Sequence, residues 1–238
     1  METVSQTEAR KAAKKYLRQD NPVASALATE IERKHNEITS TKLISLNDYR
    51  LYVDPGVFNP EFSFMGQLLA ESIEVQADDF VFDLGTGTGF QAIVASARAR
   101  QVLAVDKQRE AVECARKNVE LNGLQGKIEV RQGDLFSPVK EGEIFDMILS
   151  NFPFVPWEPE TRWQEANFDA GHQLLGKFLE QAKSRLKPGG RIGMTWSDLG
   201  DTLYFHSRLE AEGYAYKVLV TRMIKDVGQY IYELSSSI

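Results

Sequence analysis

The chain has 238 residues, 42% of them hydrophobic, which is enough to bury one sizeable core with a small appendage. Lys and Arg number 28 against 34 Asp and Glu, and the formal charge of -6 argues against a dedicated nucleic-acid binder with a basic face. A single cysteine, Cys114, excludes an internal disulfide framework, and no apolar run is long enough to span a membrane. The first residues carry no apolar signal segment, so a cytoplasmic enzyme without a membrane partner is expected. The sequence leaves the oligomeric state open.

Residues 6–18 have helical periodicity, with Ala9, Ala12, Ala13, Tyr16 and Leu17 on one side and a basic, solvated face on the other. Asn21-Pro22 suits an N-cap followed by proline at the first helical position. Val23, Leu27 and Ile31 then recur at helical spacing. Residues 1–42 are therefore expected to form an N-terminal helical cap without a motif, and residues 43–238 the main domain. Leu43 to Val53 predicts two short strands about Asn47-Asp48, a hairpin lead-in within 43–60. Phe64, Met65, Leu68 and Leu69 mark a helix.

Phe80, Val81 and Phe82 read as a buried strand that ends in Asp83. Gly85, Gly87 and Gly89 follow, separated by Thr86 and Thr88, and a helical pattern runs from Gln91 to Arg98. A turn stripped of Cβ atoms lets a ligand approach the backbone closely. Such a turn between strand and helix marks a nucleotide-type site. A second buried strand, Val102 to Asp106, ends in a carboxylate about twenty residues beyond the turn, with Lys107 next to it. A carboxylate there can accept two hydrogen bonds from a ribose cis-diol. The spacing Gly-x-Gly-x-Gly departs from the dinucleotide fingerprint, in which the third glycine stands where Phe90 is found. The stretch instead resembles the D-x-G-x-G-x-G signature of class I S-adenosylmethionine (SAM) methyltransferases. That resemblance implies SAM as cofactor, with Asp83 and the turn residues Gly85, Thr86, Gly87 and Gly89 at its amino-acid end and Asp106 and Lys107 at the ribose. The run Tyr52 to Pro60 looks like the segment before the SAM domain in HemK-type glutamine methyltransferases and small-domain RNA methyltransferases.

Arg109 to Leu121 predicts a helix stopped by Asn122-Gly123, with Cys114 as a packing residue. A third strand, Lys127 to Gln132, leads into Gly133-Asp134-Leu135-Phe136. This segment resembles the one in which the family's acidic side chain accepts from the adenine amino group, which assigns Asp134 and Leu135 to the cofactor. The fourth strand, Ile144 to Ser150, runs into Asn151-Phe152-Pro153-Phe154. These four residues resemble the Asn-Pro-Pro-Tyr motif of methyltransferases that act on planar nitrogens. The resemblance implies that the Asn151 side-chain oxygen and the next backbone carbonyl accept both protons of an NH₂ group, and that Asn151 also borders the cofactor. Phe152 replaces the first proline and Phe154 the tyrosine. Pro153 still pushes residue 152 into the extended region, and Phe154 is expected to keep a stacking face for the acceptor.

The connection 155–171 is long for a compact domain, and its aromatic and acidic content predicts a lid over the acceptor pocket. Trp157 and Trp163 are expected to add walls, and Glu158, Glu160, Glu165 and Asp169 to favour a neutral or cationic acceptor over a phosphate backbone. An amphipathic helix from Leu174, a turn at Lys187-Pro188-Gly189-Gly190 into a fifth strand, a helix over about 199–212 and a closing antiparallel hairpin follow. His35, His172 and His206 have no metal-ligand spacing, so no metal site is expected.

The expected fold is α/β: a Rossmann-like, seven-stranded, mostly parallel SAM-methyltransferase sheet with helices on both faces, plus the cap. The expected reaction is methyl transfer from SAM to a nitrogen of a small molecule or protein side chain: a glutamine-like amide, an amine or a guanidine. An RNA or DNA base amino group is the alternative within the class. A nicotinamide-dependent oxidoreductase, an aminopropyltransferase and a non-catalytic binding module are the rivals outside it. The glycine spacing and the Asn151 segment speak against the first, and Asp83, Asp106, Asp134 and Asn151 together against the last.

Overall fold

A computed structural model describes residues 22–224 and 226–236. The expected helix over 6–18 and the Asn21 cap lie outside them. The first described element is α1 (Pro22–Asn36), followed by the hairpin β1 (Lys42–Leu46) and β2 (Tyr49–Val53). Asn47 and Asp48 both adopt positive φ, as a tight two-residue hairpin turn requires. Next come α2 (Phe64–Ser72), β3 (Phe80–Leu84), α3 (Phe90–Ser96), β4 (Gln101–Asp106), α4 (Arg109–Leu121) and β5 (Ile128–Gln132). The chain closes with β6 (Phe145–Ser150), α5 (Gln173–Lys183), β7 (Leu186–Ser197), α6 (Thr202–Ala211), β8 (Tyr214–Ile224) and β9 (Val227–Ser236). The last two strands are longer than the sequence pattern indicates.

The main sheet has seven strands in the order β5-β4-β3-β6-β7-β9-β8. The first five are parallel, and β9 and β8 close the edge antiparallel. The parallel strands are apolar on both faces because helices cover both. Along β3, Val81 belongs to the core with Ile93, Val102 and Met147, while Phe82 belongs to the opposite core with Leu103, Phe145 and Phe178. Ala24 and Ala28 of α1 sit in that second core, so the N-terminal helix packs on the main sheet layer.

Strand order reverses between β3 and β6, and crevices at such switch points hold ligands. Leu84 is registered with Val105 of β4 and Ser150 of β6, and Ser150 with Met194 of β7. The next residue on each strand is Asp106, Gly85, Asn151 or Thr195. Four separate strands therefore bring Asp106, Gly85, Asn151 and Thr195 into one row at the crevice, with Thr195 behind Asn151.

Gly89 starts α3 at φ 84°, and a Cβ there would lie 3.3 Å from the Ala115 Cβ of α4. Its absence lets the helix pack on its neighbour. Gly89→Ala should cost about 1–3 kcal/mol of folding stability through positive φ and crowding. Urea unfolding measures this, and an unchanged midpoint would contradict the packing role.

Candidate active site

The crevice holds a cavity of about 240 Å³ bordered by the glycine turn, Asp106, Asp134, Asn151 and the lead-in residues Val57, Phe58, Pro60 and Ser63. Gly85 and Gly87 take φ 72° and 56°, and a Cβ on either would meet nothing within 4 Å. The space left by the missing side chains is thus part of the cavity. Gly85 and Thr86 donate their N–H groups to the Val105 carbonyl at 2.9 and 3.0 Å, which ties the turn to β4.

The two strand-end carboxylates have different tasks. Asp106 borders the cavity and accepts from the Gly87 N–H at 3.0 Å and the Gln108 N–H at 2.9 Å, one on each oxygen. Each oxygen keeps a free lone pair, which suits a diol. Asp83 is 1% exposed and does not border the cavity. Its carboxylate accepts from the Thr86 hydroxyl at 2.5 Å and the Ala92 N–H at 3.2 Å. Asp83, expected at the amino-acid end of the cofactor, thus holds the turn from beneath. Gly89 likewise serves packing and does not border the cavity.

Asp134 and Leu135 do border it. Leu135 adopts φ 47°, a strained value for a side chain with a Cβ, and is held there by burial in the core. Lys107 borders the cavity and pairs with Glu165 at 2.7 Å.

Asn151, Phe152 and Pro153 border the cavity, whereas Phe154 does not. In an extended segment successive side chains alternate sides. Phe152, 2% exposed, packs its ring 5.2 Å from Phe178, and Phe154 sets its ring edge-on at 6.5 Å to Trp196. Both rings lie in one core cluster, so Phe154, expected to stack on the acceptor, packs in the core. Phe58, Phe90, Phe152 and Trp163 are the aromatic residues that border the cavity.

The 155–171 segment does cover the cavity. Arg162 donates to Gln108 at 2.9 Å beside the Glu165–Lys107 pair. Trp163 donates to Asn36 of α1 at 3.0 Å and stacks 4.5 Å from His35. His35 faces the Ile31 carbonyl through Nδ1 at 2.7 Å and accepts the Asn59 N–H on Nε2 at 2.9 Å. Burial lowers its pKa and keeps the ring neutral, as an acceptor must be. Of the four acids expected to set the field of the pocket, only Glu165 borders the cavity. Glu158 and Glu160 do not border the cavity, Glu165 is paired, and Asp169 is buried where it accepts the Leu174 and Leu175 N–H groups and caps α5. Trp157 packs on Phe168 away from the cavity.

The three histidines stack on aromatic rings: His35 on Trp163, His172 on Tyr204 and His206 on Tyr216. Cys114 is buried and its thiol is pushed up to about 11 by burial, so it packs and does not react. Among the described residues no cluster of three or more His, Cys, Asp or Glu is placed to hold a metal, and no helix is long and apolar enough to cross a membrane.

The family model for the methyltransferase small domain matches residues 48–202, the span from the lead-in hairpin to the start of α6. The chain belongs to this family. A putative protein N5-glutamine methyltransferase of Methanocaldococcus jannaschii is 29% identical to this methyltransferase over 191 residues, covering 77% of this chain and 92% of that one. A ribosomal RNA small subunit methyltransferase C of Haemophilus influenzae is 33% identical over 151 residues, covering 62% and 42%. Curated relatives are spanned over between 34% and 92% of their own lengths. The T. thermophilus 16S rRNA N2 methyltransferase, solved with AdoMet and guanosine, shares the fold with TM-score 0.64 at 21% identity over 82% of this chain and 50% of that one. The glycine turn and Asp106 therefore belong to a SAM-dependent methyltransferase fold, with SAM as the fitting cofactor.

Four contributors had no motif to announce them. Asn118 of α4 donates to the Tyr52 and Thr88 carbonyls at 2.8 and 2.9 Å and accepts the Tyr52 N–H, joining hairpin to glycine turn. Gln91 donates to the Gly66 carbonyl, and Ser63 and Thr195 contact Asn151.

Burial pushes the Asp83 carboxyl up to about 7. The unfolded carboxyl titrates near 3.8, so between these values the folded state holds more protons. The Asp83 contribution to stability is therefore present at low pH and lost as pH rises through about 7. Asp83→Asn keeps an oxygen for Thr86 and Ala92 without the titration. Relative to that variant, the wild type should lose on the order of 3–4 kcal/mol between pH 4 and 8. Parallel stability curves from urea unfolding across that range would contradict the burial argument.

Proposed function

We propose that this methyltransferase moves a methyl group from SAM to a planar NH₂ nitrogen, and that the acceptor is a glutamine-type side-chain amide of a protein. The observation that carries the reading is Asn151, whose carboxamide borders the same cavity as the glycine turn, one strand away from it. SAM, when bound, would supply a sulfonium methyl: a neutral nitrogen bonds to its carbon in line as the carbon–sulfur bond breaks, the sulfur leaves as a neutral thioether and the nitrogen gives up one proton to solvent. This chain's residues bind and orient. Asp106 takes the ribose diol, Gly85 and Gly87 admit the cofactor to the backbone, and Asp134 takes the adenine amino group. Asn151 Oδ1 and the Phe152 carbonyl each accept one amino proton, which turns the nitrogen lone pair toward the methyl carbon. Phe58 and Trp163 exclude water.

The pairing of Glu165 with Lys107 and the position of the other loop acids away from the cavity support an amide over an amine or guanidinium. The relative matched over 92% of its length is named for protein glutamine. A guanine N2 amino group offers the same two protons, and the ribosomal RNA relatives make it the second reading. The net charge of -6 weighs against it. A protein partner in the cytoplasm is part of the proposal.

Two measurements test this. Asp106→Ala should lose about 1.5–3 kcal/mol of SAM affinity by calorimetry, the scale of hydrogen bonds to a charged group; unaltered SAM binding would remove Asp106 from the site. Asn151→Ala should lower kcat for methylation of a glutamine-containing protein at least about a hundredfold while SAM affinity changes little. Wild-type turnover in that variant would defeat the N-methyl reading, and methylation confined to RNA with a steep salt dependence would favour the second acceptor.

A further inference from the structure

Asn151 follows the last residue of β6, so the sheet does not dictate the orientation of its side chain. A carboxamide turns in a broad two-fold well and can present either its oxygen or its nitrogen. Here both ends are taken. Thr195 Oγ1 donates to Asn151 Oδ1 at 3.1 Å, and Asn151 Nδ2 donates to Ser63 Oγ at 3.1 Å. Thr195 lies on β7 and is fully buried. Its oxygen also accepts the Phe152 N–H at 3.0 Å and stands 3.5 Å from the Phe152 carbonyl oxygen. Asn151 Oδ1 and the Phe152 carbonyl, the two acceptors of the amino group, thus flank a single hydroxyl.

The lone pairs and protons can be counted. Thr195 has one O–H proton, for which Asn151 Oδ1 at 3.1 Å is the nearer acceptor and the Phe152 carbonyl at 3.5 Å the farther, and its oxygen takes the Phe152 N–H. Asn151 Oδ1 has two lone pairs, so one remains for an incoming N–H. Ser63 accepts the Gly66 N–H at 3.0 Å as the cap of α2, so the partner of Asn151 Nδ2 is itself held. A reversed carboxamide would present N–H donors to an acceptor that also arrives as a donor.

Resting on the role assigned to Asn151 above, we propose that Thr195 is a positioning residue of the acceptor site. With Ser63 opposite, it holds the Asn151 oxygen toward the acceptor nitrogen and sets its spacing from the Phe152 carbonyl. Thr195 does not border the cavity and acts through Asn151.

The side-chain amide of Asn151 reports this directly. Its pair of signals in ¹⁵N spectra of the full chain is identified by its disappearance in Asn151→Ala. In the wild type, hydrogen exchange of this amide should be at least about tenfold slower than for exposed Asn amides. Thr195→Val should remove that protection and Thr195→Ser keep it. If Thr195→Val does not fold, Thr195→Cys, with a weaker donor, decides in its place. Protection that survives loss of the hydroxyl in a folded variant overturns the proposal.

Turnover is read with labelled SAM on a glutamine-containing peptide and a guanosine-containing RNA. Thr195→Val should lower kcat about tenfold or more with the SAM dissociation constant within about threefold, and Thr195→Ser should recover most of it. The Thr195→Val, Asn151→Ala double variant should be no slower than Asn151→Ala alone, because one residue acts through the other. Additive losses overturn the proposal. If Asn151→Ala turns over like the wild type, or the wild type modifies neither probe, the reading of the acceptor fails, and the amide measurement alone judges the Thr195 clamp.

Discussion

The parallel register of β4, β3, β6 and β7 is the constraint on which the site depends. It aligns Leu84 with Val105 and Ser150, and Ser150 with Met194. Asp106, Gly85, Asn151 and Thr195 consequently emerge side by side, although 110 positions of sequence separate Gly85 from Thr195. A slip of one residue in any of these pairings would turn that strand's side chains to the opposite face, with apolar groups on the wrong side of the sheet. The two cores on either face penalise such a slip, so hydrophobic packing fixes the geometry of a polar site.

Within that row, burial decides what each polar group can do. Asp83 and Asp106 end adjacent strands, but only Asp106 borders the cavity. The buried carboxyl is held by Thr86 and Ala92 and stabilises the turn, whereas the half-buried one keeps lone pairs for a ligand. Desolvation raises the pKa of both, and the backbone N–H groups that Asp106 accepts oppose that rise.

The outer wall of the cavity comes from segments that would be separate without it. Phe58 of the lead-in and Trp163 of the 155–171 segment border the cavity, and His35 and Asn36 of α1 and Asn59 of the lead-in support them from behind. They meet at one imidazole, 4.6 Å from Phe58, 5.1 Å from Phe62 and 4.5 Å from Trp163. Aromatic contacts of this kind add about 0.5–1.5 kcal/mol each beyond burial. The cover of the cavity is thus built on the helix that precedes the family's matched span.

Local pattern determined the strand, glycine turn and helix from Phe80 to Arg98, the hairpin about Asn47-Asp48, the strand-end position of Asp106, and Asn151 before an extended proline segment. These are set by φ preferences, period and nearest neighbours, all of which a linear chain displays. Tertiary structure alone decided that Asp83 lies beneath the turn, that Phe152 and Phe154 face the core, and that Glu165 is neutralised by Lys107 while Asp169 caps a helix. It also decided that Ser63 and Thr195, 88 and 44 positions from Asn151, hold its amide. The physical reason is the same in each case: a side chain's exposure and partner are set by which strands pair and in what register, and the residue itself carries no mark of either.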